Sequence, residues 1–236
     1  MKLRKYSIYF ATLLLFACSP TYKLQSYANK VVEIEARIDS SILSIISPYQ
    51  DQIEDQMNEV LTYSKDDLEK GGVQSTIGNF VTDLCLTYAD ADICVMNNGG
   101  LRTTINKGEV TRGKLYELMP FDNELVVLEL NKNAYIGLLN YIGRRGGEPF
   151  SGIKITIDKN GEILSNTWPV NFEKGELVRV VTSDYLANGG DKMWFFKDKE
   201  QLKVGMKLRD AIIDYCSNTD TISAQLDNRI IIVDDE

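Results

Sequence analysis

The stretch Asn97-Asn98-Gly99-Gly100-Leu101-Arg102 sets two amides, two residues without Cβ atoms and a guanidinium within one turn. A second glycine pair stands in Tyr185-Leu186-Ala187-Asn188-Gly189-Gly190-Asp191, between a phenol ring and a carboxylate. Glycine lets backbone go where side chains cannot, and freed backbone N–H groups in such turns accept oxygen-rich ligands. Arg102 adds a planar fork of donors, and Asp191 a group that only accepts when ionised. Phe121, after Pro120, adds a ring at the tip of a turn. The chemistry on offer is grip on a flat, polar, hydroxyl-bearing molecule. Taken singly, each residue has a plainer reading: Phe121 and Tyr185 as packing, Asp191 as a helix cap, the asparagines as ordinary turn formers.

The chain contains no histidine. That removes the commonest metal ligand and general base. No Cys-x-x-Cys spacing replaces it, so neither nucleophilic nor metal chemistry is visible, and the site is expected to hold no metal or cofactor of its own.

The elements that would position these residues can be read from periodicity. Residues 1–17 carry Lys2, Arg4 and Lys5 and then an apolar run too short to span a bilayer, which is the layout of a signal peptide. Leu14, Phe16, Ala17 and Cys18 together resemble the bacterial lipoprotein signal, with Cys18 as the lipidated first residue of the mature chain. Residues 18–39 read as a polar tether. A soluble body on a lipid anchor, outside the cytoplasm in a bacterial cell envelope, is the expectation. Three of the 26 basic residues lie among Met1–Lys5, leaving 23 against 34 acidic ones beyond residue 17, a net of −11. Such a surface argues against nucleic acid and against docking on anionic lipid. Cys85, Cys94 and Cys216 remain besides Cys18; export would permit a disulfide, but their apolar contexts favour buried thiols.

From Ser40 a helical pattern is expected, with Ile53, Met57, Val60 and Leu61 on one face. A second helix follows over Ile77, Phe80, Val81, Leu84, Cys85 and Tyr88. A buried strand at 93–97 leads into the first glycine pair. A short helix capped by Thr111, a strand at 124–130 and a helix capped by Asn131 come next. Strands at 152–158 and 177–186, a helix at 207–218 and a last strand at 229–235 complete the pattern. Helices and strands mix without strict alternation, so the fold class is α+β (mixed α/β), one domain over 40–236 with a mixed sheet and flanking helices.

In this order, Asn97-x-Gly99-Gly100-x-Arg102, Pro120-Phe121 and Leu186-Ala187-Asn188-Gly189-Gly190-Asp191 resemble the C-terminal domain of the 5′-nucleotidases. Gly78-Asn79, opening a helix within "STIGNFVTDLC", resembles it too. The resemblance runs from about Ser40 to the end. It implies a clamp in which Phe121 and Tyr185 stack on either side of a nucleobase. A tyrosine ring keeps the stacking face, and its hydroxyl has no role in the family's clamp. Asn97 would bond the base edge, Arg102 would reach ribose or phosphate oxygens, and Asp191 would accept from ribose hydroxyls. Gly99, Gly100, Asn188 and Gly190 would frame the pocket.

Two departures stand out. Many members have an arginine where this chain has Val73. The complete enzymes also carry a metallophosphoesterase domain, whose histidines, aspartates and asparagine hold two metal ions. With no histidine, this chain is not expected to supply that pair. The resemblance therefore implies the substrate-recognition half of a split 5′-nucleotidase, with the divalent metal pair on a separate partner subunit. The alternatives are a nucleoside- or nucleotide-binding lipoprotein with no catalytic partner, and a degenerate scaffold that keeps only the fold.

Overall fold

The computed structural model describes residues 40–233. The signal-like segment 1–17, Cys18 and the 18–39 tether lie outside them.

Helix α1 (Ser40–Asn58) contains Pro48 and has no buried residue. It stops at Asn58, so Val60 and Leu61 do not continue its face as their spacing suggests. They begin strand β1 (Val60–Ser64), which pairs antiparallel with β3 (Gly108–Thr111) and parallel with β10 (Thr221–Ile222). The run Val-Leu-Thr-Tyr-Ser suits a pleated surface, and pairing decides between two periods that the apolar spacing alone allows.

The centre is a five-stranded sheet in the order β5 (Phe150–Ser151), β2 (Ile93–Val95), β8 (Val178–Ser183), β4 (Glu124–Leu130), β9 (Leu202–Lys207). Successive side chains of a strand point to opposite faces. Leu125, Val127, Cys94 and Val181 enter one core, with helices α2 (Thr76–Tyr88), α3 (Arg112–Leu118) and α6 (Leu208–Ser217). Val126, Leu128, Leu130, Ile93, Val95, Val178 and Val180 enter the other, with α4 (Lys132–Arg144). Burial on both faces is why β2 and Leu125–Leu128 of β4 read as apolar runs. The second core is closed by a three-stranded sheet, β11 (Ile230–Val233), β6 (Ile155–Asp158) and β7 (Ile163–Asn166), through Ile155, Ile157 and Ile230. The fold is mixed α/β, as the sequence implies.

The expected caps form: Thr111 accepts from the Lys114 N–H and Asn131 from the Ala134 N–H. Ser75 caps α2 as well, accepting from the Gly78 N–H. Several strands are shorter than their patterns: β2 ends at Val95, β6 begins at Ile155, and β8 ends at Ser183, where Asp184–Ala187 is a single helical turn, α5, capped by the Ser183 hydroxyl. The polar pair Ser183-Asp184 favours a helix start over a further ladder step. Cys85, Cys94 and Cys216 are buried free thiols, and desolvation pushes Cys216 up to about 12.

The last strand is tied in electrostatically. Arg229 is buried, yet its guanidinium reaches Asp83 at 3.0 Å, Asp227 at 2.8 Å and the Phe150 carbonyl at 2.8 Å. The Arg229 bonds hold the Asp227 carboxyl down at about 2, against ~3.9 for a free aspartate. A depressed acid stabilises the fold above its unfolded pKa, and that contribution is lost as pH falls through the folded value. The thermal midpoint should therefore decline as pH is lowered from about 4 to about 2. Asp227→Asn should flatten that part of the profile; an unchanged slope in this variant would remove the pair from acid unfolding.

Candidate functional site

Topology brings the motifs together. β2 and β8 are parallel, with Ile93 opposite Val180 and Cys94 opposite Val181. The turns after their C-terminal ends, at Asn97 and at Tyr185, therefore leave the same edge of the sheet. β4 runs antiparallel to β8 and sets Leu125 opposite Ser183. The Phe121 turn, which feeds the start of β4, thus arrives at that edge as well. A crevice outside the carboxyl ends of strands is where open α/β sheets bind ligands.

A cavity of about 320 Å³ opens there, lined by Asn97, Gly99, Gly100, Arg102, Phe121, Asn123, Tyr185 and Asp191. That is within the ~300–1,000 Å³ of small-molecule sites. Of the nine residues singled out from sequence, seven line it. Asn188 and Gly190 do not. The Asn188 amide donates to the Asp184 carbonyl and its oxygen accepts from Gln201, so it closes the α5 turn. A Cβ on Gly190 would lie 2.5 Å from the Tyr185 ring. Gly190 thus makes room for the protein's own tyrosine. Val73 packs against the core and is absent from the cavity wall.

Within the site the polar groups are already connected. The Asn97 Nδ2 donates to Asp191 Oδ2 at 2.6 Å, and the Tyr185 hydroxyl donates to Asp191 Oδ1 at 2.9 Å. The Asp191 N–H points back to the Tyr185 hydroxyl at 3.3 Å. The phenol oxygen is thus bonded within the wall of the cavity itself. Asp191 holds a left-handed backbone, φ 50° and ψ 24°, a region that aspartate tolerates better than most residues. Arg102 donates to the Gly99 carbonyl at 3.2 Å, and its guanidinium carbon stands 5.9 Å from the Phe121 ring centre. The fork keeps donors for an incoming oxygen.

Three supports were not legible in the motifs. Glu148 is wholly buried, accepts from the Asn98 N–H at 2.7 Å and pairs with Arg145 at 3.0 Å. It fixes the first glycine turn from behind. The Tyr141 hydroxyl donates to the Asp191 carbonyl at 3.0 Å, and burial pushes this phenol upward. Arg209, 4.5 Å from the centre of the Tyr116 ring, donates to the Met119 and Phe121 carbonyls and pairs with Asp122. It anchors the turn that carries Phe121. Among the described residues, no group of three or more His, Cys, Asp or Glu side chains is placed to hold a metal.

The comparisons with known proteins fit this geometry. The profile of the 5′-nucleotidase C-terminal domain matches residues 59–198. The chain belongs to the 5′-nucleotidase C-terminal domain family. A 5′-nucleotidase of Vibrio vulnificus is 28% identical over 172 residues, covering 68% of this chain and 31% of that protein. An apyrase of Tabanus yao is 24% identical, covering 88% of this chain and 44% of its own. The crystal structure of a 5′-nucleotidase precursor from Thermus thermophilus superposes with a TM-score of 0.68 at 26% identity, covering 82% of this chain and 42% of that one. The chain thus spans less than half the length of these relatives.

Both proposed stacking rings are open to solvent, Phe121 by 41% and Tyr185 by 46%, whereas Phe150 in the core is 1% exposed. Phe121→Ala should therefore cost less than about 1.5 kcal/mol of stability, against the ~3–5 kcal/mol of a buried phenylalanine such as Phe150. Denaturant unfolding of the two variants compares them directly. A Phe121→Ala loss as large as that of Phe150→Ala would make the ring a core residue.

Proposed function

We propose that this protein is the substrate-recognition half of a split extracytoplasmic 5′-nucleotidase. It would hold a nucleoside or nucleotide while a separate metallophosphoesterase subunit supplies the metal pair. The observation that carries this reading is the one cavity in which Asn97, Arg102, Phe121, Tyr185 and Asp191 meet. A degenerate scaffold would have no reason to keep a charged, hydrogen-bonded wall there. Phe121 and Tyr185 offer π-faces to the base, which accounts for tolerance of several bases. Arg102 faces the ribose or phosphate side. The role of this chain is binding and orientation; it contributes no group to phosphoryl transfer.

The test has two parts. In calorimetric titration the full chain in detergent should bind adenosine or AMP. Phe121→Ala should weaken binding roughly tenfold or more, from the ~1–3 kcal/mol of base–aromatic stacking. Alone, with added manganese or zinc, the protein should release no phosphate from AMP; mixed with a metallophosphoesterase subunit encoded beside it, turnover should appear. Binding with no such partner would favour the alternative of a free-standing nucleotide-binding lipoprotein. Steady hydrolysis by this chain alone would overturn the split-enzyme reading.

Anchoring is a separate part of the proposal and rests on the run before Cys18. Cys18→Ala should move the protein out of the membrane fraction and abolish labelling by a radioactive fatty acid. Labelling equal to that of the parent would refute lipidation at this cysteine.

A further inference from the structure

Tyr185 does more than present a ring. Its hydroxyl bonds Asp191 twice, donating to Oδ1 at 2.9 Å and accepting from the Asp191 N–H at 3.3 Å. Asn97 takes the other carboxylate oxygen at 2.6 Å, and Tyr141 takes the Asp191 carbonyl at 3.0 Å. Asp191 and Lys192 both have positive φ, at 50° and 68°, so the segment needs outside bonds to keep its shape. A carboxylate oxygen has two lone pairs. With one used on each oxygen, one remains on each, and the pair is held in a fixed plane at the cavity wall. The missing Cβ of Gly190 completes the arrangement, since any side chain there would push the Tyr185 ring aside.

We propose that the Tyr185 hydroxyl is a positioning group that fixes Asp191 as a two-point acceptor, and that it gives the cavity its selectivity for ligands bearing a vicinal cis-diol. A ribose presents two adjacent hydroxyl donors; a rigid carboxylate meets both at once, and a freely rotating one does so at an entropic cost. The hydroxyl acts through Asp191 and touches no ligand itself. The inference rests on the nucleoside reading of the cavity and adds to it a residue whose hydroxyl that reading leaves unused.

Tyr185→Phe keeps the ring and removes only the hydroxyl. Titration of the full chain with adenosine and with 2′,3′-dideoxyadenosine separates the two roles of the residue. Adenosine affinity should fall about tenfold, the scale of a hydrogen bond to a charged group, while dideoxyadenosine affinity should stay within about twofold of the parent's. In an Asp191→Ala background the same change should have no further effect on adenosine, because the hydroxyl works through that carboxylate. Without any ligand, amide exchange at Gly190–Lys192 should quicken in Tyr185→Phe. Equal losses for both nucleosides, or effects that multiply with those of Asp191→Ala, would overturn the proposal and leave the hydroxyl a packing or stacking feature. So would unchanged adenosine affinity. Failure of the parent protein to bind either nucleoside would instead strike the nucleoside reading, which the ligand-free exchange measurement does not depend on.

Discussion

The parallel pairing of β2 with β8 is the constraint on which the site depends. Parallel neighbours cannot be joined by a tight turn, so more than eighty residues separate Val95 from Val178. The return is that two loops distant in sequence leave the sheet side by side. Register is pinned at several points. The Thr182 hydroxyl donates to the Val95 carbonyl at 2.8 Å, the Arg179 N–H to Asp92 at 2.8 Å and the Asp92 N–H to the Arg179 carbonyl at 2.8 Å. A slip by one residue would send Val180 and Val181 to the wrong cores and turn Tyr185 away from Asn97. Packing on the two faces and geometry at the edge are thus one requirement.

Behind that edge, the wall of the cavity is stiffened by groups that never line it. Burying Glu148 is costly, because a carboxylate loses its hydration. The Asn98 N–H and the Arg145 guanidinium offset that loss and fix the first glycine turn. Arg209 does the same for the Phe121 turn from the start of α6. Tyr141 on α4 reaches the second glycine turn. Each loop has its own polar anchor, two of them from α4 and the segment after it and one from α6, so the three can keep their mutual distances without a ligand.

What was legible in the sequence was local. Caps at Thr111 and Asn131, the apolar runs of β2 and β4 and the motif residues of the cavity all sit within a few positions of the feature they make. What was not legible depended on partners far along the chain. Val60 and Leu61 read as helix because their apolar spacing fits a 3.6 period; the strands beside them, β3 and β10, decide otherwise. Nothing local in "GGEPF" or "KLRDA" signals the backbone groups that Glu148 and Arg209 hold. The Tyr185 hydroxyl escapes notice for the same reason: stacking accounts for the ring, and only the fold shows Asp191 beneath the phenol oxygen.

The two glycine pairs, so alike in sequence, solve different steric problems. A Cβ on Gly100 would lie 2.7 Å from the Asn97 side-chain oxygen, so this glycine lets Asn97 turn toward Asp191. A Cβ on Gly99 would meet nothing nearer than 3.4 Å, at the Asn97 amide on the cavity side. That position is kept clear for whatever enters. In the second pair Gly189 takes a left-handed φ of 87°, and Gly190 accommodates the Tyr185 ring. Gly100 and Gly190 thus make room for Asn97 and Tyr185, a Cβ on Gly189 would press on the Trp194 ring, and Gly99 is the least crowded of the four. The cavity is shaped chiefly by the protein's contacts with itself, and a ligand would meet an acceptor and two rings already in position.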